Sequence, residues 1–413
     1  MVVGKRRLLS IAAVAAAAAS AALAPAAATA KPAKLRDVLV VSNNWAGTAD
    51  LVDPHTFKRF KRLNVVPDRE RRVAEISADP TRKAFYDGIR TLIGEGHDQY
   101  VDDGFPSRDG RLVYFSRPSF ADVVAIDVRT GKIRWRVPVE GYRADHMALS
   151  DDGRRLLVSA STASKVHVID TRRGRIVGSF PSGDAPHESN FSRDGSKIFH
   201  ASIGTVYTDT DAPEEDATKG RRVFEIVDTK TLRVLESVDM GQKMAEFGRP
   251  WNGAVRPMAI TPDERYAYLQ LSFLHGFVEY DLAERRITRI ADLPVPPEVA
   301  ALPRQAYLLD SAHHGLAMNP AGTKLCAAGT MSDYAAIVDR ASLQVQATIP
   351  VGDTPYWAQA SEDGRYCFVS VAGDDRVAVI SFDDAALVRR IKVGDHPQRM
   401  RVGALRASAL RRG

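Results

Sequence analysis

Short apolar runs and turn residues alternate along almost the whole chain, and they do so with a fixed period. Residues 141–153 read G-Y-R-A-D-H-M-A-L-S-D-D-G, residues 184–195 D-A-P-H-E-S-N-F-S-R-D-G, and residues 353–364 D-T-P-Y-W-A-Q-A-S-E-D-G. Each stretch is a turn, a short apolar strand and an Asp-Gly hairpin signal. The turns end at Gly110, Gly153, Gly195, Gly322 and Gly364, with Asp263-Glu264 as a degenerate sixth. Uninterrupted units are about 42 residues long, the signature of a propeller blade made of several short strands.

A second marker counts the blades. Apolar strands run into Asp53, Asp127, Asp170, Asp228, Asp281 and Asp339, and a seventh runs into Ser381. A short oxygen-bearing side chain there can accept from the backbone N–H groups of its own turn. The first unit lacks its leading strand, while residues 394–402, G-D-H-P-Q-R-M-R-V, begin a unit and then stop. The two termini should therefore share one blade, which pairs two open edges and closes the ring. The expected fold is all-β: a seven-bladed β-propeller of four-stranded blades over residues 31–405, closed by N- and C-terminal strands, with a basic tail at 406–413.

Three insertions interrupt the period. Residues 69–96 contain P-T-R-K-A-F-Y-D-G-I-R-T-L-I, whose apolar spacing suits a short helix. Residues 205–222 are acidic and then basic, and read as a mobile loop. Residues 293–309 are Pro-rich. Insertions in a repeat array tend to map to one face and to carry binding.

Before the repeats lies a different composition. Lys5-Arg6-Arg7, the Ala-rich run to Leu23 and Ala28-Thr29-Ala30 have the three parts of a secretion signal over residues 1–30. A secreted, extracytoplasmic protein is expected, with no later membrane span. Removing the three cations lowers the formal net charge from +6 to +3, too mild to imply nucleic acid. Cys326 and Cys367 lie at nearly matching places in adjacent units with apolar neighbours. Two buried thiols are expected rather than a disulfide.

The G-D-A-P, G-D-T-P and G-D-H-P turns, the S-x-D-G hairpins and the V-I-D-T-x-x-G-x-I strand pairs resemble the YVTN-type, YncE-like bacterial β-propellers. The resemblance runs over roughly residues 35–405. It implies the propeller fold and export, and leaves function open, because one fold hosts many activities.

Candidate chemistry follows from the ring. Eight and seven residues before each hairpin glycine, the chain enters the innermost strand at a channel mouth. Those positions read Asp102-Asp103, Asp145-His146, His187-Glu188, Arg256-Pro257, His314-Gly315, Tyr356-Trp357 and Gln398-Arg399. Six of the ten histidines (His97, His146, His187, His313, His314 and His396) fall near this register. Imidazole and carboxylate groups can bind a divalent or transition metal ion or move a proton. The expected function is binding of a small anionic or metal-associated ligand, with no cofactor specified. Arg256, Tyr356, Trp357, Arg399, Asp103 and Asp145 would be contacts, and His146, His187 and His314 candidate metal ligands. The rival is a metal-dependent lyase or hydrolase using His187, Glu188 and His146. A third reading is a protein or single-stranded nucleic-acid scaffold. Plain polar channel lining would also place such residues there. A monomer is expected.

Overall fold

The structure, a computed structural model, describes residues 33–206 and 210–410; the expected secretion signal lies outside the described residues. Seven four-stranded antiparallel sheets are arranged as blades in a ring. Blade 1 combines the C-terminal strand Pro397–Arg406 with Leu35–Asn43, Thr48–Val52 and Arg59–Asn64. Leu39 pairs with Val402 and Val41 with Met400 across the junction of the two termini. Blades 2 to 7 have innermost strands at Gly104–Pro106, Ala144–Leu149, Pro186–Phe191, Val255–Ile260, Gly315–Met318 and Pro355–Ala360.

Each blade is packed between two neighbours, so its middle strands are buried on both faces. That is why they read as unbroken apolar runs, such as Val123 to Ile126 and Val377 to Ile380. The outermost strands alternate instead, as in Ala386–Lys392. The apolar faces of blades 7 and 1 share one core, in which Phe368, Val377, Leu39 and Met400 meet.

The hairpin chemistry is as the residues predict. Asp53 accepts from the N–H groups of His55 and Thr56, Asp127 from those of Arg129 and Thr130, and Asp281 from those of Ala283 and Glu284. Ser381 does the same for Asp384. At the degenerate turn Glu264 adopts the positive φ (54°) that glycine supplies elsewhere.

Cys326 and Cys367 are buried as expected, but they form a disulfide between blades 6 and 7, with Cα atoms 6.5 Å apart. Counted from their hairpin glycines the two differ by one residue. In a strand that offset turns the side chains to opposite faces, so across adjacent blades they point at each other.

The insertions are more ordered than their sequence suggests. The helix read from residues 80–93 is present as α2 (Pro80–Leu92), preceded by α1 (Arg69–Ser77). Asp79 caps α2 by accepting from Thr81 and Arg82. The segment read as a mobile loop folds back on itself in its described part. Its acidic and basic halves neutralise one another: Lys219 pairs with Asp211 in a buried contact, and Arg222 with Asp216. The Pro-rich insertion includes a turn of helix at Pro297–Ala300. At the C-terminus, Arg406 ends the closing strand, and Ala409 and Leu410 pack into the core between blades 1 and 2. Among the described residues no helix is long and apolar enough to cross a membrane.

Candidate functional site

The inner-strand residue pairs occupy two levels along the channel. The first member of every pair lines one cavity of about 510 Å3: Asp102, Asp145, His187, Arg256, His314, Tyr356 and Gln398. The second members fall mostly below it, because successive residues of a strand alternate in direction. Glu188 and Trp357 line a separate vestibule of about 280 Å3 with Arg401. His146 and Arg399 are exceptions that reach the upper cavity.

Three of the six singled-out histidines converge. The ring centres of His146 and His187 are 3.8 Å apart, those of His187 and His314 5.7 Å, and His314 stacks on Tyr356 at 4.0 Å. Burial holds all three imidazoles well below their usual pKa, and the Arg399 charge adds to the effect. They are neutral at pH 7. Arg399 Nε donates to His146 Nδ1 at 3.1 Å, so the neutral ring carries its proton on Nε2, 3.6 Å from Asp145 Oδ1. No protein group satisfies Nδ1 of His187 or His314, or Oδ2 of Asp102. The residues that carry these buried atoms line a cavity large enough for a ligand.

The other three histidines are structural. His313 bonds the Tyr334 hydroxyl, and His97 and His396 sandwich the Trp45 indole at 3.9 and 3.7 Å. Arg249 pairs with Asp292 at the surface, away from the channel.

Asp102, Asp145 and His146 bring ligating atoms within 4.8 Å of one another. The carboxylates there are already engaged. Arg399 pairs with Asp102 at 3.0 Å, and Arg143 pairs with Asp145. A cation at this point must displace a guanidinium and free the His146 lone pair.

Arg256 differs from the other arginines. Its donors meet neutral oxygens: Ser272 Oγ at 2.8 Å and the Leu309 carbonyl. Its acidic neighbour Asp310 is 3.9 Å away, and burial together with nearby Asp211 pushes that carboxyl upward toward the neutral form. Arg256 is thus a buried, weakly compensated cation on the cavity floor. Leu309 and Asp310, which frame it, both hold positive φ (46° and 60°). Consecutive left-handed non-glycine residues are strained, and such strain gathers at functional sites.

Of the expected contacts, Glu188, Asp103 and Trp357 lie outside the upper cavity, so Glu188 does not partner His187. Glu188 accepts from the Met258 N–H at 2.9 Å and from Asn190, and burial pushes its pKa up to about 7. Asp103 accepts two bonds from Arg401, at 2.8 and 2.7 Å, and one from the Met147 N–H. Trp357 is not a wall beside Tyr356. It lies between the guanidinium groups of Arg399 and Arg401, each 4.9 Å from its ring.

The cavity also has walls that the repeat register does not reach. All three insertions contribute: α2, Thr205 and Val206, and Leu309. Arg143 and Ser161 hold Asp145 from the side. Arg143 had one visible signal, its place two residues before Asp145. Ser161 had none, because it arrives from the neighbouring strand's end.

No protein-family model and no curated protein matches the chain. Among solved structures it is similar to the Kuenenia stuttgartiensis hydrazine synthase, at 18% identity and TM-score 0.58, covering 83% of this chain and 92% of that one. It is also similar to the dihydro-heme d1 dehydrogenase NirN in complex with DHE, at 13% identity and TM-score 0.53, covering 88% and 74%. These likenesses agree with the β-propeller class and carry no further.

Proposed function

We propose that the protein binds a small organic anion in the upper channel cavity, outside the cytoplasm, and belongs with the YncE-like propellers its repeats resemble. The observation that carries this is Arg256, a buried cation without a close, fully charged acidic partner, on the floor of a cavity of about 510 Å3. An anionic head group would complete its charge and meet the neutral imidazoles of His187 and His314, either of which could accept or donate a hydrogen bond. The Cys326–Cys367 disulfide and the leader-like N-terminus support an oxidising, extracytoplasmic setting.

The test is calorimetric titration with acetate and benzoate. The wild type should bind both, and Arg256→Met should weaken both at least tenfold. Equal affinity in the variant would remove the anion site. A second reading has a metal ion at Asp102, Asp145 and His146, favoured by their 4.8 Å grouping. It requires Arg399 and Arg143 to move. Elemental analysis after exposure to zinc or copper salts would reveal a stoichiometric ion lost on His146→Ala; no retained metal rejects that reading.

A further inference from the structure

The roof of the cavity is unlike its floor. Ala84, Phe85, Gly88, Ile89 and Leu92, spaced three and four apart on α2, line it together with Ile93 just past the helix end. Their opposite face carries Lys83, Asp87 and Arg90, with Lys83 bonded to Asp87 at 2.7 Å. An amphipathic helix ordinarily turns its apolar stripe to the core. Here only Tyr86 and Ile89 are buried, while Phe85 and Leu92 stay 41% and 44% exposed. Val206 and Leu309 extend the same apolar surface from the other two insertions, and Ile203 from the end of a blade 4 strand.

Gly88 stands in the middle of this stripe. Glycine in a helix interior is unfavourable, and its φ here is an ordinary helical one, so the backbone does not require it. A Cβ at Gly88 would meet no atom within 4 Å. The residue therefore leaves open space between the helix backbone and the cavity without serving the packing of the protein itself.

We propose, resting on the anion reading above, that α2 forms a subsite for an apolar, ring-sized body on the same ligand, and that Gly88 sets how large that body can be. The ligand class is then an amphipathic organic acid, with its carboxylate at Arg256 and its apolar part under α2. One continuous cavity joins the two chemistries, and the lining residues with buried polar atoms that lack protein partners (Asp102, Arg143, His146, His187 and His314) all lie outside α2.

Acetate and 4-phenylbutyrate separate the two halves of the site in calorimetric titration. The wild type should bind 4-phenylbutyrate at least tenfold more tightly than acetate. Gly88→Leu should erase that preference and leave acetate affinity unchanged, and Gly88→Ala should reduce it partially. Both variants add a better helix former in open space, and a Tm no lower than that of the wild type would verify their folding. A Gly88→Leu protein that binds 4-phenylbutyrate like the wild type, or a wild type without the preference, overturns the roof subsite while leaving the anion site intact. Acetate binding that survives Arg256→Met overturns the anion reading separately, whatever happens at Gly88.

Discussion

The two levels of the channel use adjacent residues for different ends. The upper level (Asp102, Asp145, His187, Arg256, His314, Tyr356 and Gln398) faces open space and leaves buried polar atoms without protein partners. The carboxylates of the lower level are engaged by the fold. Asp103 holds the Met147 N–H of the next blade, and Glu188 holds the Met258 N–H of the next. Arg401 of the closing strand pairs with Asp103 at the entry to blade 2. A polar group whose bonds are filled by backbone stabilises the ring; one with bonds to spare can bind something else.

That contrast can be broken by mutation, most severely at the closure. Arg401→Met leaves the fully buried Asp103 without its bidentate partner, and should cost about 3–5 kcal/mol in denaturant unfolding. A loss below about 1 kcal/mol would mean the lower level does not hold the ring. Replacing both Cys326 and Cys367 by Ala should cost about 2–4 kcal/mol through the freed unfolded chain, measured the same way under oxidising conditions. Glu188→Ala strands the Met258 N–H, for about 1–3 kcal/mol. His187→Ala at the upper level should change stability by only about 1 kcal/mol or less, since the vacated space joins an existing cavity. If His187→Ala proves as costly as Glu188→Ala, the two levels are not distinct.

The smallest effect is in pH dependence, and its sign differs between the levels. The folded pKa values of His146, His187 and His314 are depressed. Their contribution is complete above about 6.5, the unfolded value, and is lost as pH falls below it. Glu188 has its folded pKa raised to about 7. Its ionisation therefore opposes folding increasingly as pH rises from about 4.5, the unfolded range, through 7. Stability profiles from pH 4 to 8 should show His187→Ala with a shallower acid loss than the wild type. Glu188→Gln should gain on the wild type as pH rises from 4.5 to 7. Parallel profiles for Glu188→Gln and the wild type would contradict the burial of that charge.

The sequence by itself determined the ring. The Asp-Gly hairpins and the Asp-ended strands are local signals, each satisfied within a few residues by its own backbone, and the split first blade is legible because the period is strict. It also determined that seven residue pairs meet at the channel. Only the tertiary structure decided which member of each pair faces the cavity. Adjacent positions carry equal side-chain chemistry on paper, and strand direction with the interblade bond partners separates them, as it separates His187 from Glu188. The same holds for the Cys326–Cys367 bond, which depends on a one-residue offset read across two blades, and for α2. The pattern of α2 predicted a helix, but that part of its apolar face lines the same cavity as Arg256 follows from how three insertions, distant in sequence, come together there.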